Sequence, residues 1–162
     1  MDHSIVSADL LRYGEQYLEA SDAVHQTLSA APRYRGVPPL PTLKLIGGAF
    51  EMLLKAFLLE HGESLKLLQS MDSDLERLRR RAMDIGLARL VVFQGLEETA
   101  IDLLGHQLVN RELAFQPFAS SSPPPYFLLR VAAGRLAPAV RQDIEDGEVN
   151  RPGQSGLAAS GV

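Results

Sequence analysis

Apolar and small residues recur at helical spacing along most of the chain, beginning over Ser7–Leu28, where steps of three and four place them on one stripe. A second such pattern follows a proline-rich loop, with Thr42 as the expected N-cap and Gly62 as the stop. It is the strongest helix signal in the sequence, and its apolar face is wider than one neighbouring helix can cover. That face consists of Leu43, Ile46, Gly47, Phe50, Leu53, Leu54, Phe57 and Leu58.

The middle of the chain predicts two shorter helices. A turn of helix is expected at residues 64–70, and the next helix is expected to begin at Ser73. Ser73 and Glu76 have the spacing of a capping box, in which each side chain bonds the exposed backbone amide of the other. Gly86 is the expected end of this helix, because glycine readily adopts the left-handed conformation that follows a last turn.

The second half of the chain predicts two long helices. The first covers residues 87–109, with Gly95 as a weak point. The second covers about 126–145. Gly134 and Pro138 predict an interruption in it, because proline lacks an amide donor and its ring clashes with the preceding turn.

Together these elements predict an all-α fold. No segment alternates between apolar and polar residues with turn chemistry at its ends, so no strand is expected. The 162 residues suit one domain, and we expect an antiparallel bundle of four or five helices over residues 5–146. The last sixteen residues contain four glycines and no apolar period, which predicts a disordered C-terminal tail over 147–162.

Composition and charge narrow the classes of function. The chain has no cysteine, which excludes disulfides, thiolate metal ligands and thiol nucleophiles. It shows neither a signal-like amino terminus nor an apolar run of about 18 residues, so we expect a soluble, cytoplasmic protein without membrane contact. The net charge of −4 disfavours a broadly cationic nucleic-acid surface but leaves a local basic patch open. No cofactor is expected.

Four arginines form the densest cationic run, namely Arg77, Arg79, Arg80 and Arg81. Because helical residues turn by about 100° each, these side chains fan around the helix. One interpretation is a set of surface charges favoured by the helix C-terminus. The other is a strip that contacts the phosphates of RNA, DNA or a nucleotide, which would make binding strongly salt-dependent.

A possible metal site lies further along the chain. Glu98, Asp102 and His106 follow one another at a spacing of four and therefore share one helix face. Two carboxylates and an imidazole are suitable ligands for a divalent metal. Ligands on a single helix diverge along its axis, however, and no fourth ligand is evident. We therefore expect no metal, and an ordinary polar face at this position.

The wide apolar face of the second helix also allows two interpretations. It is typical of a helix at the centre of a bundle. Alternatively, Phe50, Phe57 and the small patch at Gly47 form the interface with a second copy of the chain. A homodimer is expected if the second interpretation holds.

Nucleophilic catalysis has little support in the sequence. There is no G-x-S-x-G elbow, no P-loop and no glycine fingerprint that follows a strand. The serines at 120–122 lie in a proline-rich stretch typical of a linker. We therefore assign no catalytic residue and do not expect an enzyme.

Two motifs within residues 48–87 carry a resemblance to a known family. Glu51 and Lys55 lie in an E-x-x-x-K-A-x-L-L pattern that stops at Gly62, and Asp74 with Leu75 opens a later segment that closes with a Gly–Leu pair. In both motifs the chain resembles the HEPN-like domains. These are prokaryotic helical bundles often encoded beside nucleotidyltransferases or in defence and toxin–antitoxin systems.

The chain departs from that family where ribonuclease activity is concerned. Asp72 and Ser73 stand where the family has the glycine and histidine of G-H-D-L. Ribonuclease members carry R-x(4–6)-H, which acts on the RNA phosphodiester, but no arginine precedes a histidine of this chain at that distance. Lys55 and His61 are the nearest imitation, and lysine lacks the planar fork of arginine. We therefore do not expect the ribonuclease mechanism of the family.

The resemblance implies a role as well as a fold. We expect a non-catalytic helical interaction module of a prokaryotic defence or toxin–antitoxin system, which self-associates. Two alternatives stay open: an RNA-targeting toxin or nuclease that uses other residues, and a nucleotide-binding accessory subunit of a nucleotidyltransferase. The expected partners are accordingly a second copy, an antitoxin or nucleotidyltransferase, or RNA.

Overall fold

The structure is a computed structural model that describes residues 6–110 and 122–150. Within these ranges it has six α-helices, two short 3₁₀ turns and no strand. The all-α class is therefore confirmed. The helices are α1 (Ser7–Leu28), α2 (Leu40–Glu60), α3 (Leu65–Met71), α4 (Leu75–Ile85), α5 (Gly95–Val109) and α6 (Tyr126–Val149), and the 3₁₀ turns are Pro32–Tyr34 and Leu87–Arg89.

Helix α2 is the centre of the fold and packs against α1, α3, α4, α5 and α6. Eleven of its 21 residues are buried, so neighbouring helices cover most of its circumference. Burial of apolar area on this scale is the main favourable contribution to folding. Although α2 is the most apolar helix, the described part of the chain has no helix that is long and apolar enough to cross a membrane.

Helices α1 and α2 approach each other closely at Gly14. A Cβ atom at this position would lie 2.8 Å from the Leu53 side chain and 3.2 Å from the Leu53 backbone nitrogen. A larger residue would therefore force the two helices apart. This contact belongs to the most extensive helix pair in the fold.

The residues predicted as a dimer interface lie inside a single chain, which corrects that prediction. Phe50 is 0% exposed and Phe57 is 1% exposed. Gly47 packs against α5, where a Cβ atom would lie 2.6 Å from Leu108 Cδ1. The apolar face of α2 is covered by helices of the same chain and offers no surface to a second copy.

Two predicted helix starts are displaced. Helix α2 begins at Leu40 with Pro39 as its N-cap, so Thr42 is a buried residue of the first turns and not the N-cap. Proline is tolerated there, because the first backbone amides of a helix have no partner within it. Helix α4 is capped by Asp74, whose Oδ1 accepts from the Arg77 backbone nitrogen at 3.0 Å. The capping box predicted at Ser73 is wrong, because its hydroxyl donates to Glu51 of α2.

The helix predicted over residues 87–109 is also divided in two. A 3₁₀ turn at Leu87–Arg89 leads into a non-helical segment, and α5 begins only at Gly95. Val91 and Phe93 are buried in this segment, whereas Val92 between them is 68% exposed. Successive side chains of an extended chain point to opposite sides, so an extended segment can bury Val91 and Phe93 while Val92 faces solvent. Burial of these two side chains therefore favours an extended segment over a helix here.

Helix α6 is continuous through Gly134 and Pro138, and the predicted interruption is wrong. The residues around Pro138 on the inner face are buried against the core, and this packing maintains the helix across the missing amide. Asn150 ends the helix, with its side-chain Nδ2 donating to the Asp146 carbonyl at 2.8 Å. Residues 147–149 are thus helical, so the predicted tail boundary is three residues too early, and residues 151–162 lie outside the described ranges.

Candidate functional site

The arginine run does not form one free cationic strip. Arg79 bridges α4 to α5, with its Nη2 donating to both carboxylate oxygens of Asp102 at 2.8 and 2.9 Å. Its side chain is only 16% exposed, and its Nη1 lies 3.4 Å from Glu98. This ion pair is an internal clamp between helices, so Arg79 has little surface to offer a phosphate.

Two of the other three arginines also have carboxylate partners. Arg80 pairs with Glu76 one turn earlier at 2.5 Å, and Arg81 pairs with Glu63. Arg77 is exposed and has no ion-pair partner among the described residues. Neighbouring carboxylates thus neutralise most of the cationic charge that the sequence concentrates here.

The metal candidate is not formed. Glu98 and Asp102 both face Arg79, whose guanidinium takes the position that a cation would need. His106 lies one turn further on and contacts the Asn110 amide at 3.0 Å. Across residues 6–110 and 122–150, no group of three or more metal-ligating side chains comes together.

The positions that carry the family resemblance connect α2 to α4. Lys55 Nζ lies 2.5 Å from Glu51 Oε1, and the two side chains are only 12% and 15% exposed. Glu51 also accepts a hydrogen bond of 2.8 Å from Ser73, the residue before the α4 cap Asp74. The geometry gives these residues a structural role, because each polar group is satisfied by another within the fold.

A polar network that sequence reasoning missed joins α1 to α6. Arg130 Nε donates to both oxygens of Asp22, at 2.6 and 2.8 Å. The Tyr126 hydroxyl donates to Asp22 Oδ1 at 2.8 Å and lies 3.0 Å from the Ser21 hydroxyl. The His25 ring stacks on the Tyr126 ring, with centroids 4.0 Å apart.

The charges in this network reinforce one another. Burial raises the pKa of Tyr126 to about 12, and its bond to the Asp22 carboxylate acts in the same direction. Burial alone would raise the pKa of Asp22, but hydrogen bonds from Arg130 and Tyr126 outweigh it and hold that pKa below its usual value. The bond to Asp22 in turn raises the pKa of Arg130. At neutral pH the network is therefore a paired anion and cation with a protonated tyrosine.

An open groove of about 370 Å³ lies beside this network, between the end of α1, the following loop and the start of α6. Its volume is within the range of small-molecule sites. Tyr126 is 7% exposed, whereas Phe127 beside it is 72% exposed. The groove is lined by His25, Ser29, Tyr34, Arg35, Gly36, Val37, Pro38, Pro125, Tyr126 and Phe127.

The loop at this groove carries two unpaired cations. Arg33 and Arg35 flank Tyr34 and have no ion-pair partner among residues 6–110 and 122–150. The Arg33 guanidinium lies 4.9 Å from the centre of the Tyr34 ring, a cation–π distance. Most other arginines of the described chain have a carboxylate partner, so this loop is a local cationic feature of an acidic protein.

Arg135 connects α6 to the start of α5, and exposed apolar residues flank it and its two contact residues along the chain. Val131 is 38% exposed and lies one turn before Arg135 on the same face of α6. Arg135 donates to the Val92 carbonyl at 3.0 Å and pairs with the buried Glu97. Val92 and Leu96 are 68% and 72% exposed. We refer to Val92, Leu96 and Val131 as the apolar surface.

A smaller hollow of about 300 Å³ lies between α1 and α2. Its lining has no charged side chain that would select a ligand and consists of Tyr13, Gln16, Tyr17, Ala20 and Leu45.

The structure therefore brings together residues that the sequence analysis did not select. The sequence does contain one signal for this site, the P-R-Y-R-G stretch with Arg33, Tyr34 and Arg35. Two cations around an aromatic residue are typical of sites that bind nucleic acid. Asp22 and Tyr126 are separated by more than a hundred residues, and no spacing rule connects them.

Comparison with protein-family models, curated proteins and solved structures finds no match to this chain.

Proposed function

We propose that this protein is a non-catalytic helical interaction module that acts as a homodimer. The proposal includes an antiparallel bundle of the HEPN-like kind and a role in a prokaryotic defence or toxin–antitoxin system. The sequence pattern at Glu51, Lys55 and Asp74 supports the kinship with HEPN-like domains. In this chain these residues lie where α2 contacts α4. An antitoxin or a nucleotidyltransferase is the further partner that this kinship suggests.

The observation that carries the homodimer is the apolar surface at Val92, Leu96 and Val131. Large apolar side chains exposed close together on a folded chain mark interaction sites. The predicted interface on α2 is covered, so this surface replaces it as the contact between copies.

A second copy is the occupant that best suits the charges around this surface. Its central cation, Arg135, is already paired with Glu97 and bonded to the Val92 carbonyl. The surface therefore requires no oppositely charged partner. In a twofold dimer the same patch contributes from both chains, and an apolar patch without net charge is self-complementary.

The polar networks support a binding role in preference to catalysis. Asp22, Arg130 and Tyr126 hold one another in fixed protonation states, and Arg79 is held by Asp102. A general acid or base requires a pKa near the working pH, but burial moves the pKa of Tyr126 away from neutrality, and hydrogen bonds from Arg130 and Tyr126 hold the pKa of Asp22 below its usual value. Their evident effect is to fix helix packing.

The test is the mass of the full chain in solution, measured by size exclusion with light scattering over a wide concentration range. We expect twice the mass of one 17.7 kDa chain. Leu96→Glu and Val131→Glu should each shift the protein to the monomer, because an unpaired carboxylate would be buried in the contact. Val149→Glu is the matched control, since Val149 is 85% exposed and lies about 27 Å further along α6.

Two results would contradict the proposal. One is a wild-type protein that stays monomeric at the highest concentration. The other is a dimer that withstands Leu96→Glu and Val131→Glu as well as it withstands the control. Circular dichroism of each variant verifies that the fold is retained.

A further inference from the structure

We infer that the groove between α1, the 29–38 loop and α6 binds a nucleoside phosphate, with the aromatic base on its ring-lined wall and the phosphate on the arginine loop. This inference does not depend on the proposed homodimer, because the groove and the apolar surface involve different residues.

Arg35 in the groove and Arg33 two residues before it favour an anionic ligand. Arg35 lines the groove and is exposed, and among the described residues no carboxylate pairs with it or with Arg33. The first turn of α6 also borders the groove and contains no acidic residue, and its N-cap Pro125 provides no side-chain cap. The positive end of the α6 helix dipole adds to the potential of the two guanidinium groups, which alone already favour a phosphate.

The aromatic rings that line the groove favour a ligand with a flat, apolar group. Phe127 lines the groove and is 72% exposed, so its ring is accessible to a ligand. Tyr34 also lines the groove, next to Arg35 in the chain. Stacking of a base on such rings is favourable and tolerates any base, because every base has a π face.

The floor of the groove is held in place before any ligand arrives. Tyr126 stacks on His25 at 4.0 Å and is fixed by its hydrogen bond to Asp22, which Arg130 also holds. A rigid floor lowers the conformational cost of binding. The volume of about 370 Å³ lies at the small end of ligand sites and suits a single nucleotide.

An anion without a ring would contact only the arginines, and an uncharged ring would contact only the aromatic side chains. We therefore expect adenosine monophosphate to bind more tightly than either adenosine or inorganic phosphate. A nucleotide can reach the groove as a free molecule or as one unit of a single RNA strand, and both present the same base and phosphate chemistry.

The experiment is a titration of the full ¹⁵N-labelled chain with adenosine monophosphate at low salt, followed by amide chemical shifts. We expect saturable shifts at Gly36 and Phe127, which line the groove. Arg35→Gln should weaken binding about tenfold, because it removes a charge-assisted contact to phosphate. Arg77→Gln is the matched control, since Arg77 is an exposed arginine of α4 that has no ion-pair partner among the described residues.

Parallel titrations decide between the sources and the alternatives. If a short oligoribonucleotide binds more tightly than the monophosphate and keeps the dependence on Arg35, the ligand is a strand; if not, it is the free nucleotide. The inference is overturned if adenosine monophosphate binds no better than phosphate, or if Arg77→Gln weakens binding as much as Arg35→Gln. It is also overturned if an acidic peptide that contains phenylalanine shifts Gly36 and Phe127 and the nucleotide does not.

Discussion

Substitution of Tyr126 by phenylalanine tests the network between α1 and α6. The change removes one hydroxyl and leaves the ring that stacks on His25. Asp22 loses a hydrogen bond of 2.8 Å but keeps both bonds from Arg130. A hydrogen bond to a charged group contributes about 1.5–3 kcal/mol, and we expect the low end, about 1.5 kcal/mol at pH 7, because Asp22 stays paired.

The pH dependence gives this prediction a distinctive sign. The pKa of Tyr126 is raised to about 12 in the folded protein, above the ordinary value of 10.0. Its stabilising effect is therefore complete below about pH 10 and is lost as the pH rises from 10 towards 12. The phenylalanine variant has no such loss. The wild type should be the more stable protein at pH 7, and this advantage should shrink as the pH rises from 10 towards 12.

Urea unfolding of both proteins, followed by far-UV circular dichroism at several pH values, measures the difference in free energy of unfolding. Other titrating groups are common to the two proteins and cancel in that difference. Tyr13→Phe is the matched control, because Tyr13 is 45% exposed and the change should cost less than about 0.5 kcal/mol at pH 7. A difference that stays constant from pH 7 to pH 12 would refute the reasoning, since Tyr126 would then titrate alike in the folded and unfolded chains.

Two further substitutions test the packing of the helices. Arg79→Ala should lower the free energy of unfolding by about 1–3 kcal/mol, because it leaves Asp102 without its partner between α4 and α5. The control Arg77→Ala should lower it by less than about 0.5 kcal/mol. Equal losses in urea unfolding would show that the ion pair of Arg79 and Asp102 contributes nothing. Gly14→Ala should cost about 1–3 kcal/mol, because the new Cβ atom would lie 2.8 Å from the Leu53 side chain. An unchanged melting temperature would mean that α1 can move away from α2 freely.

The arginine run shows how far local patterning leads and where it stops. The sequence indicates that Arg77, Arg79, Arg80 and Arg81 fan around one short helix. Whether such a cation is free or paired depends on which helix packs beside it, and α5 places Asp102 and Glu98 against only one of the four. The same contact removes two ligands from the predicted metal site.

Some helix boundaries are likewise set by local sequence, and others by tertiary contacts. The bounds of α1 at Ser7–Leu28 agree with the apolar period, because a local repeat defines that helix. The displaced starts of α2 and α4 and the break before α5 have tertiary causes, such as the bond from Ser73 to Glu51 and the burial of Phe93. A pattern along the chain contains no information about a partner that lies on another helix.

The sequence by itself determined the all-helical class, because helical periodicity is a property of consecutive residues. It left open whether the apolar face of the second helix is buried within the chain or meets a second copy. Only the tertiary structure decided which surfaces stay open. It covered Phe50 and Phe57 with other helices and left Val131 and Phe127 at the surface. It also placed Arg35, which has no ion-pair partner within residues 6–110 and 122–150, in the same groove as Tyr126, at a distance along the chain that no local rule spans. Binding chemistry depends on such convergence, and convergence is set by how the helices pack.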